Sequence, residues 1–216
     1  MMFTKVSVLV PTRQRLDRLR TMLASFHTTS SGAAELVFRV DDDDVPTQTL
    51  LTDYHQIIGP RRGYGGLPEM LNELYAASSG DVLMCGNDDV VFKTPGWDAI
   101  ILEWANRYPD AVFDFGVKTH NEANFPLATV SRRIADRVGF FFPPDLFWGD
   151  IFWRDVTSHF GRAIPLPEVE IDHDWVGFKP DQVFIDGEKV RRANHMALHE
   201  ASVNDAIEKL QGLINA

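Results

Sequence analysis

The first half of the chain alternates short, fully apolar runs with segments of helical periodicity, and this alternation restricts the fold more than any other feature. Val6 to Val10 is a β-branched run closed by Pro11 and reads as a buried strand. Leu16, Leu19, Leu23 and Phe26 then recur at helical spacing as far as a breaker cluster at Thr28–Gly32. Leu36–Val40 reads as a second strand and Gln56–Ile58 as a short third. Leu67, Met70, Leu71, Leu74 and Tyr75 mark a second helix, Asp81–Cys85 a fourth strand, and Trp97, Ile100, Ile101 and Trp104 a third helix. Val112–Val117 reads as a further strand. Strands apolar on both faces, separated by amphipathic helices, imply an α/β/α sandwich around a mostly parallel sheet.

Such sheets bind ligands beyond the carboxyl ends of their strands. The polar clusters of the first half all fall at those ends: Thr12-Arg13, Asp41–Asp44, Arg61–Gly66 and Asn87–Asp89. Composition sets outer bounds. With 216 residues, 44% apolar and 24% charged, the chain suits one ordinary globular domain with a sizeable core. A net charge of -10 argues against passive binding to nucleic acid or anionic membrane. The single cysteine, Cys85, allows no internal disulfide. The N-terminal apolar stretch is too short for a membrane span or signal peptide, so the expected compartment is the cytoplasm.

The second half is less regular. Pro126–Val130 reads as a strand, and "GFFFPPDLFWGD" is an aromatic loop with two prolines. Phe152, Val156 and Phe160 mark a helix ending at Gly161, and Val169–Ile171 a short strand before "DHDW". The tail from about residue 194 is helical in pattern; its His195 and His199 are expected to be a surface pair.

Five stretches have residue types suited to chemistry. In "GNDD", Asp88 and Asp89 are adjacent carboxylates at a strand end, which suits Mg²⁺ or Mn²⁺ or else a solvated turn. In "RVDDDDVP", one of the four carboxylates Asp41–Asp44 suits a hydrogen bond from a base or ribose, the plainer reading being Asx-turns and a helix cap. "PRRGYGG" offers Arg61, Arg62 and Gly63, with backbone that can approach a ligand and guanidinium groups that suit phosphate. In "FWGDIFWRD", Asp150 is either a helix cap or a general base whose pKa neighbouring aromatics raise. In "EIDHDW", His173 suits a structural role, a Mn²⁺-class metal or a phosphate.

In order and spacing, "VSVLVPTRQRLDRLRTMLASF", "VDDDD", "GLPEMLNELYAASSGDVLMCGNDDVVF", "WGDIFWRDVTSHFGR" and "IDHDW" resemble the GT-A glycosyltransferases of the inverting family 2 group, over about residues 5–175. The resemblance implies a GT-A, Rossmann-like fold and transfer of a sugar, with inversion, from a nucleotide-diphosphate sugar to an acceptor hydroxyl. It implies that Pro11, Thr12 and Arg13 line the nucleotide pocket and that Asp42 holds the base or ribose, with Asp41 and Asp43 as near alternatives. Asn72 supports the phosphate region. Asn87, Asp88 and Asp89 form the metal motif, Asp150 is the catalytic base, and His173 lies beside metal and diphosphate. A UDP-sugar is the favoured donor, and Mn²⁺ or Mg²⁺ the cofactor. The nucleotide-binding part is expected over about residues 1–117, the acceptor and catalytic part over 118–180, and a helical tail over 194–216. The sequence departs from the family pattern at Gly86 or Asn87 (first metal-motif aspartate), at Leu71 (arginine) and at Gly149 (glutamate). The alternatives are a sugar-phosphate nucleotidyltransferase, which the glycine-free "PTRQRLDRL" disfavours, and a non-catalytic binding relative.

Overall fold

The computed structural model describes residues 2–110, 112–115, 127–144, 146, 149–173 and 196–214. Four strands, β1 (Val6–Thr12), β2 (Ala34–Asp41), β3 (His55–Gly59) and β4 (Val82–Cys85), lie in the order β3-β2-β1-β4, all parallel. Next to β4 the same sheet continues with β7 (Thr129–Ser131), β6 (Val112–Phe115) and β8 (Ala163–Leu166). β7 is antiparallel to both its neighbours, and β6 is parallel to β8, so β7 alone runs against the rest. A separate antiparallel pair joins β5 (Val90–Phe92) to β9 (Ile171–His173), with Val90 opposite His173.

The helices are α1 (Leu16–Thr29), α2 (Val45–Leu50), α3 (Leu67–Ala77), α4 (Trp97–Arg107), α5 (Arg132–Val138), α6 (Gly149–His159) and α7 (Met196–Ile214). Strand side chains alternate between faces. Val8, Val10, Phe38, Val40 and Met84 meet α1 (Leu19, Met22, Phe26) and α4 (Trp97, Ile101). Leu9, Val37 and Leu83 meet α3 (Leu71, Leu74), α6 (Phe152, Trp153, Val156) and the tail helix (Ala206, Leu210). Each such buried side chain stabilises the sandwich by about 1.5–3 kcal/mol relative to exposure. This is the α/β/α architecture expected from the alternation.

The differences are local. β5, β8 and α5 were not anticipated, and β9 begins at Ile171 rather than Val169. β8 contains Pro165, which is tolerated because β8 is a sheet edge. The strand expected at 126–130 is β7, from Thr129 to Ser131. The expected pair of His195 and His199 involves a residue outside the described ones; His199 Nε2 lies 2.9 Å from Asp155 Oδ2 on α6 and helps dock the tail. No helix among the described residues is long and apolar enough to cross a membrane.

Candidate active site

Three adjacent parallel strands, β2, β1 and β4, end at the same edge of the sheet, and each runs directly into a polar segment. After β1, Arg13 reaches to the end of β2. Its Nη1 lies 3.1 Å from Asp41 Oδ2, and it makes a two-pronged pair with Asp43, Nη2 to Oδ2 at 3.0 Å. This pairing holds the Asp43 carboxyl below its ordinary range and the Arg13 guanidinium above its own. Asp41 goes the other way: burial raises it despite Arg13 and Arg39 nearby. Asp42 is exposed, and its N–H bonds the carbonyl of Gly59 at the end of β3. Asp44 is buried, caps α2 by accepting from Thr47 N–H, and also accepts from Gln14 N–H at 2.8 Å. Gln14 has φ 55, a left-handed conformation held by this bond. Of the four aspartates, Asp44 is thus the cap, and the plainer reading of this loop holds for that residue.

The end of β4 is tied to β1. Gly86 N–H bonds Leu9 O at 2.8 Å, and a Cβ at Gly86 would lie 2.7 Å from Val8 Cγ1 and 2.8 Å from Val10 Cγ2. An aspartate has no room there, so Asn87 takes the first place of the "NDD" motif. Asp88 is 4% exposed; Thr12 Oγ1 donates to its Oδ2 at 2.8 Å and Arg15 Nη1 to its Oδ1 at 3.0 Å. Burial pushes its pKa up. Asp89 sits where the chain turns into β5. Burial opposes its ionisation, but His173, Arg15 and Arg18 outweigh burial and hold it below the ordinary range. Arg18 Nη1 lies 3.2 Å from Asp89 Oδ2, and His173 Nε2 lies 2.9 Å from Asp89 Oδ1.

Among the described residues no three acidic, histidine or cysteine side chains converge as a metal cage. Asp89 and His173 do converge. Mg²⁺-class ions use one or two protein carboxylates and leave other positions to substrate phosphates and water. A carboxylate beside an imidazole, here hydrogen-bonded to each other at 2.9 Å, is a donor pair that Mn²⁺-class ions accept. The donor set therefore fits such an ion. Of the three expected ligands, Asp88 is the one turned toward β1 instead.

Asn72, on α3, bonds a loop. Its Oδ1 accepts from the N–H groups of Phe141 and Phe142, both at 3.0 Å, and its Nδ2 donates to Phe142 O at 2.8 Å. Trp153 Nε1, on α6, donates to Phe141 O at 2.7 Å. The Phe142 ring fills the space that a Cβ on Gly149 would need. Hence glycine precedes Asp150 here: α6 starts pressed against the ring of a residue whose backbone Asn72 holds. Asp150 is the second residue of α6, within its first turn. Phe141 and Phe142 are core residues; Phe147 and Trp148, the aromatics that precede Gly149-Asp150 in sequence, lie outside the described residues.

Arg61, Arg62 and Gly63 come after β3, at the same edge, beside the Asp41–Asp44 loop. The charge of Arg61 acts on Asp43, and Arg62 Nη2 lies 2.7 Å from Glu73 Oε1. Pro11 and Thr12 end β1 itself. Arg15, Arg18, Arg39 and Glu73 were not singled out from sequence. Arg15 and Arg18 had a signal: cations at the start of a helix, where the macrodipole disfavours them, need an anion nearby.

Glycosyl transferase family 2 matches residues 7–162. No curated protein matches the sequence. Among solved structures, the mannosyltransferase PcManGT from Pyrobaculum calidifontis, in complex with GDP-Man and Mn²⁺, superposes with a TM-score of 0.63 at 16% identity, covering 100% of this chain and 76% of that one. S. aureus TarS 1-349 in complex with UDP-GlcNAc superposes with a TM-score of 0.62 at 11% identity, covering 97% and 73%. Against the longer S. aureus TarS chain the match spans only 44% of its length. The strand order, the polar edge and the match over most of the chain agree: this chain belongs to glycosyl transferase family 2 and has the GT-A fold of nucleotide-sugar-dependent glycosyltransferases.

Proposed function

We propose that the chain transfers a sugar from a nucleotide-diphosphate sugar, a UDP-sugar in first place, to an acceptor hydroxyl with inversion. The observation that carries this reading is the convergence at one sheet edge of Arg13 on Asp41 and Asp43, of Thr12 on Asp88, and of His173 on Asp89. The nucleoside lies against Pro11, Thr12, Arg13 and the Asp41–Asp43 loop, with Asp42 at base or ribose. Arg61, Arg62 and Gly63 form the adjoining wall. The diphosphate extends toward Asn87 and Asp88, and Asn72 supports this region through the Phe141–Phe142 loop. Bound UDP-GlcNAc in TarS and GDP-Man with Mn²⁺ in PcManGT are consistent with this class of donor.

Asp89 and His173 would hold a divalent cation, Mn²⁺ or Mg²⁺, with Asp88 fixed behind them by Thr12 and Arg15. When bound, it supplies positive charge where the leaving diphosphate develops negative charge. Arg15 and Arg18 stand beside the same carboxylates and add to the positive field. Asp150 takes the proton of the acceptor hydroxyl. The hydroxyl oxygen forms its bond to the anomeric carbon on the face opposite the nucleotide, the bond to the diphosphate oxygen breaks, and the nucleoside diphosphate leaves with that electron pair. General-base assistance of this kind is worth ~10²–10⁴-fold in rate.

The test is a panel of UDP, GDP and their sugars in thermal melts, with and without Mn²⁺, followed by turnover with screened acceptors. Stabilisation by a nucleotide sugar and its consumption support the reading. Binding without turnover of any donor identifies a non-catalytic relative, and the absence of any nucleotide binding overturns the reading.

A further inference from the structure

Arg39 is a charge inside an apolar strand. It lies on β2 between Phe38 and Val40 and is 1% exposed. A buried guanidinium is costly unless its N–H groups find partners. Here Nε donates to Glu73 Oε2 at 2.5 Å, and Nη1 donates to the carbonyls of Val40 at 2.7 Å and Gly59 at 3.3 Å. Nη2 donates to the carbonyl of Pro60 at 2.9 Å, and Nη1 lies 3.6 Å from Asp41 Oδ1. One side chain therefore touches both segments flanking the proposed nucleoside pocket: the end of β2 and the start of the loop after β3.

Glu73 carries the connection outward. Its Oε1 accepts from Arg62 Nη2, within that loop, at 2.7 Å. Two glycines are shaped to this arrangement. A Cβ at Gly59 would lie 2.7 Å from Arg39 Nη2, and a Cβ at Gly66 would fall on the Cβ of Arg62. The segment "GPRRGYGG" has four glycines and by composition is free to wander. In the folded chain it is fastened at its start by Arg39, in its middle by Glu73 through Arg62, and at its end where Gly66 closes on Arg62. Stability alone does not require this charge, because apolar groups of similar volume often replace buried ion pairs without loss.

We infer that Arg39 and Glu73 are positioning residues for nucleoside recognition, clamping the glycine-rich loop against the Asp41–Asp44 loop and so setting the pocket that takes the nucleoside. This rests on the proposed donor site. Arg61 lies between the fastened points, and its charge stays close to Asp43.

The test uses the full chain with Mn²⁺ and titrates UDP, UMP, GDP, GMP and inorganic pyrophosphate by calorimetry. Wild type is compared with Arg62→Met, Glu73→Gln and the double variant. Arg62→Met guards against a folding defect, because the Arg62–Glu73 pair is partly exposed and its loss should leave the melting temperature near wild type. The expected result is about tenfold weaker binding of nucleoside mono- and diphosphate alike in each single variant, unchanged pyrophosphate binding, and no further loss in the double variant. A direct phosphate role for Arg62 predicts instead that Glu73→Gln, which frees Arg62, keeps or tightens binding, and that outcome overturns the inference. Wild-type affinity in both single variants, or additive losses in the double variant, overturns it too. A wild type that binds no nucleotide removes the donor site itself, and the inference with it.

Discussion

Asp89 and His173 meet from segments far apart in the chain: Oδ1 of one lies 2.9 Å from Nε2 of the other, at the point where β5 and β9 pair Val90 with His173. If the pair holds the cation, Asp89→Asn and His173→Ala each remove the Mn²⁺-dependent part of nucleotide binding. In wild type a ligand at 100 times its Kd adds about 2.7 kcal/mol of stability, and the variants should lose the share that depends on Mn²⁺. Asp88→Asn should instead chiefly lower the melting temperature, because Asp88 is buried beneath Thr12 and Arg15. Melts with and without Mn²⁺ check this. An intact Mn²⁺ increment in both Asp89→Asn and His173→Ala places the metal elsewhere.

The Asp41–Asp44 loop divides its carboxylates. Asp41 and Asp43 are taken by Arg13 and Asp44 by α2, while Asp42 is exposed between them. Asp42→Ala should therefore weaken nucleoside monophosphate and diphosphate equally and leave the melting temperature of the free protein within about 0.5 kcal/mol of wild-type stability. Isothermal titration of both ligands decides. A loss confined to the diphosphate ties Asp42 to the metal and phosphate region instead.

Glu35 makes a pH-dependent contribution at the opposite end of β2. Burial opposes its ionisation, but Lys5, Ser7 and Ser79 outweigh burial and bring its pKa from 4.5 to about 2. A depressed carboxyl stabilises the fold above its unfolded pKa and loses that contribution as pH falls through the folded value. Between pH 4.5 and about 2 the chain should therefore lose stability on the order of 1–2 kcal/mol from this group, after allowance for partial exposure. Glu35→Gln should flatten that part of the stability–pH curve in chemical denaturation. An unaltered slope would show that other carboxyls dominate there.

The strands that build the polar edge were legible because β1, β2 and β4 are apolar on both faces, and only a covered parallel sheet accounts for that. The four polar clusters were legible for the same reason, as interruptions of apolar runs. The meeting of Asp89 with His173 was legible only through the family resemblance, because 84 residues separate them and only the β5–β9 register joins them. β5 itself is three residues long, too short for periodicity to register. The place of Gly86 was also invisible, since the obstacle to a side chain there is Val8 and Val10 on the neighbouring strand. Arg39 had a visible mark, a lone charge within "LVFRV", but its partners on α3 and the loop after β3 come together only in the fold.

The start of α6 decides whether Asp150 is a base or only a favourable charge at a helix end. Asp150 comes directly after Gly149 in the first turn, where the helix N-terminus stabilises a carboxylate by about 0.3–1 kcal/mol. Asp150→Asn preserves size and removes the ability to take a proton at neutral pH. As a base, Asp150 acts on the acceptor in the transition state and adds little to donor binding. Turnover should then fall by ~10²-fold or more while donor affinity and melting temperature stay near wild type. Gly149→Ala provides the contrast. The added methyl falls on the Phe142 ring, which is buried and whose backbone N–H and carbonyl are both bonded to Asn72, so the ring has little freedom to yield. Overpacking of this kind costs about 1–3 kcal/mol, and the displaced helix start should lower both the melting temperature and turnover. Steady-state rates with a screened acceptor, read beside melts of both variants, separate the two effects. Wild-type turnover in Asp150→Asn would leave Asp150 as a helix-end charge and require another group to take the proton.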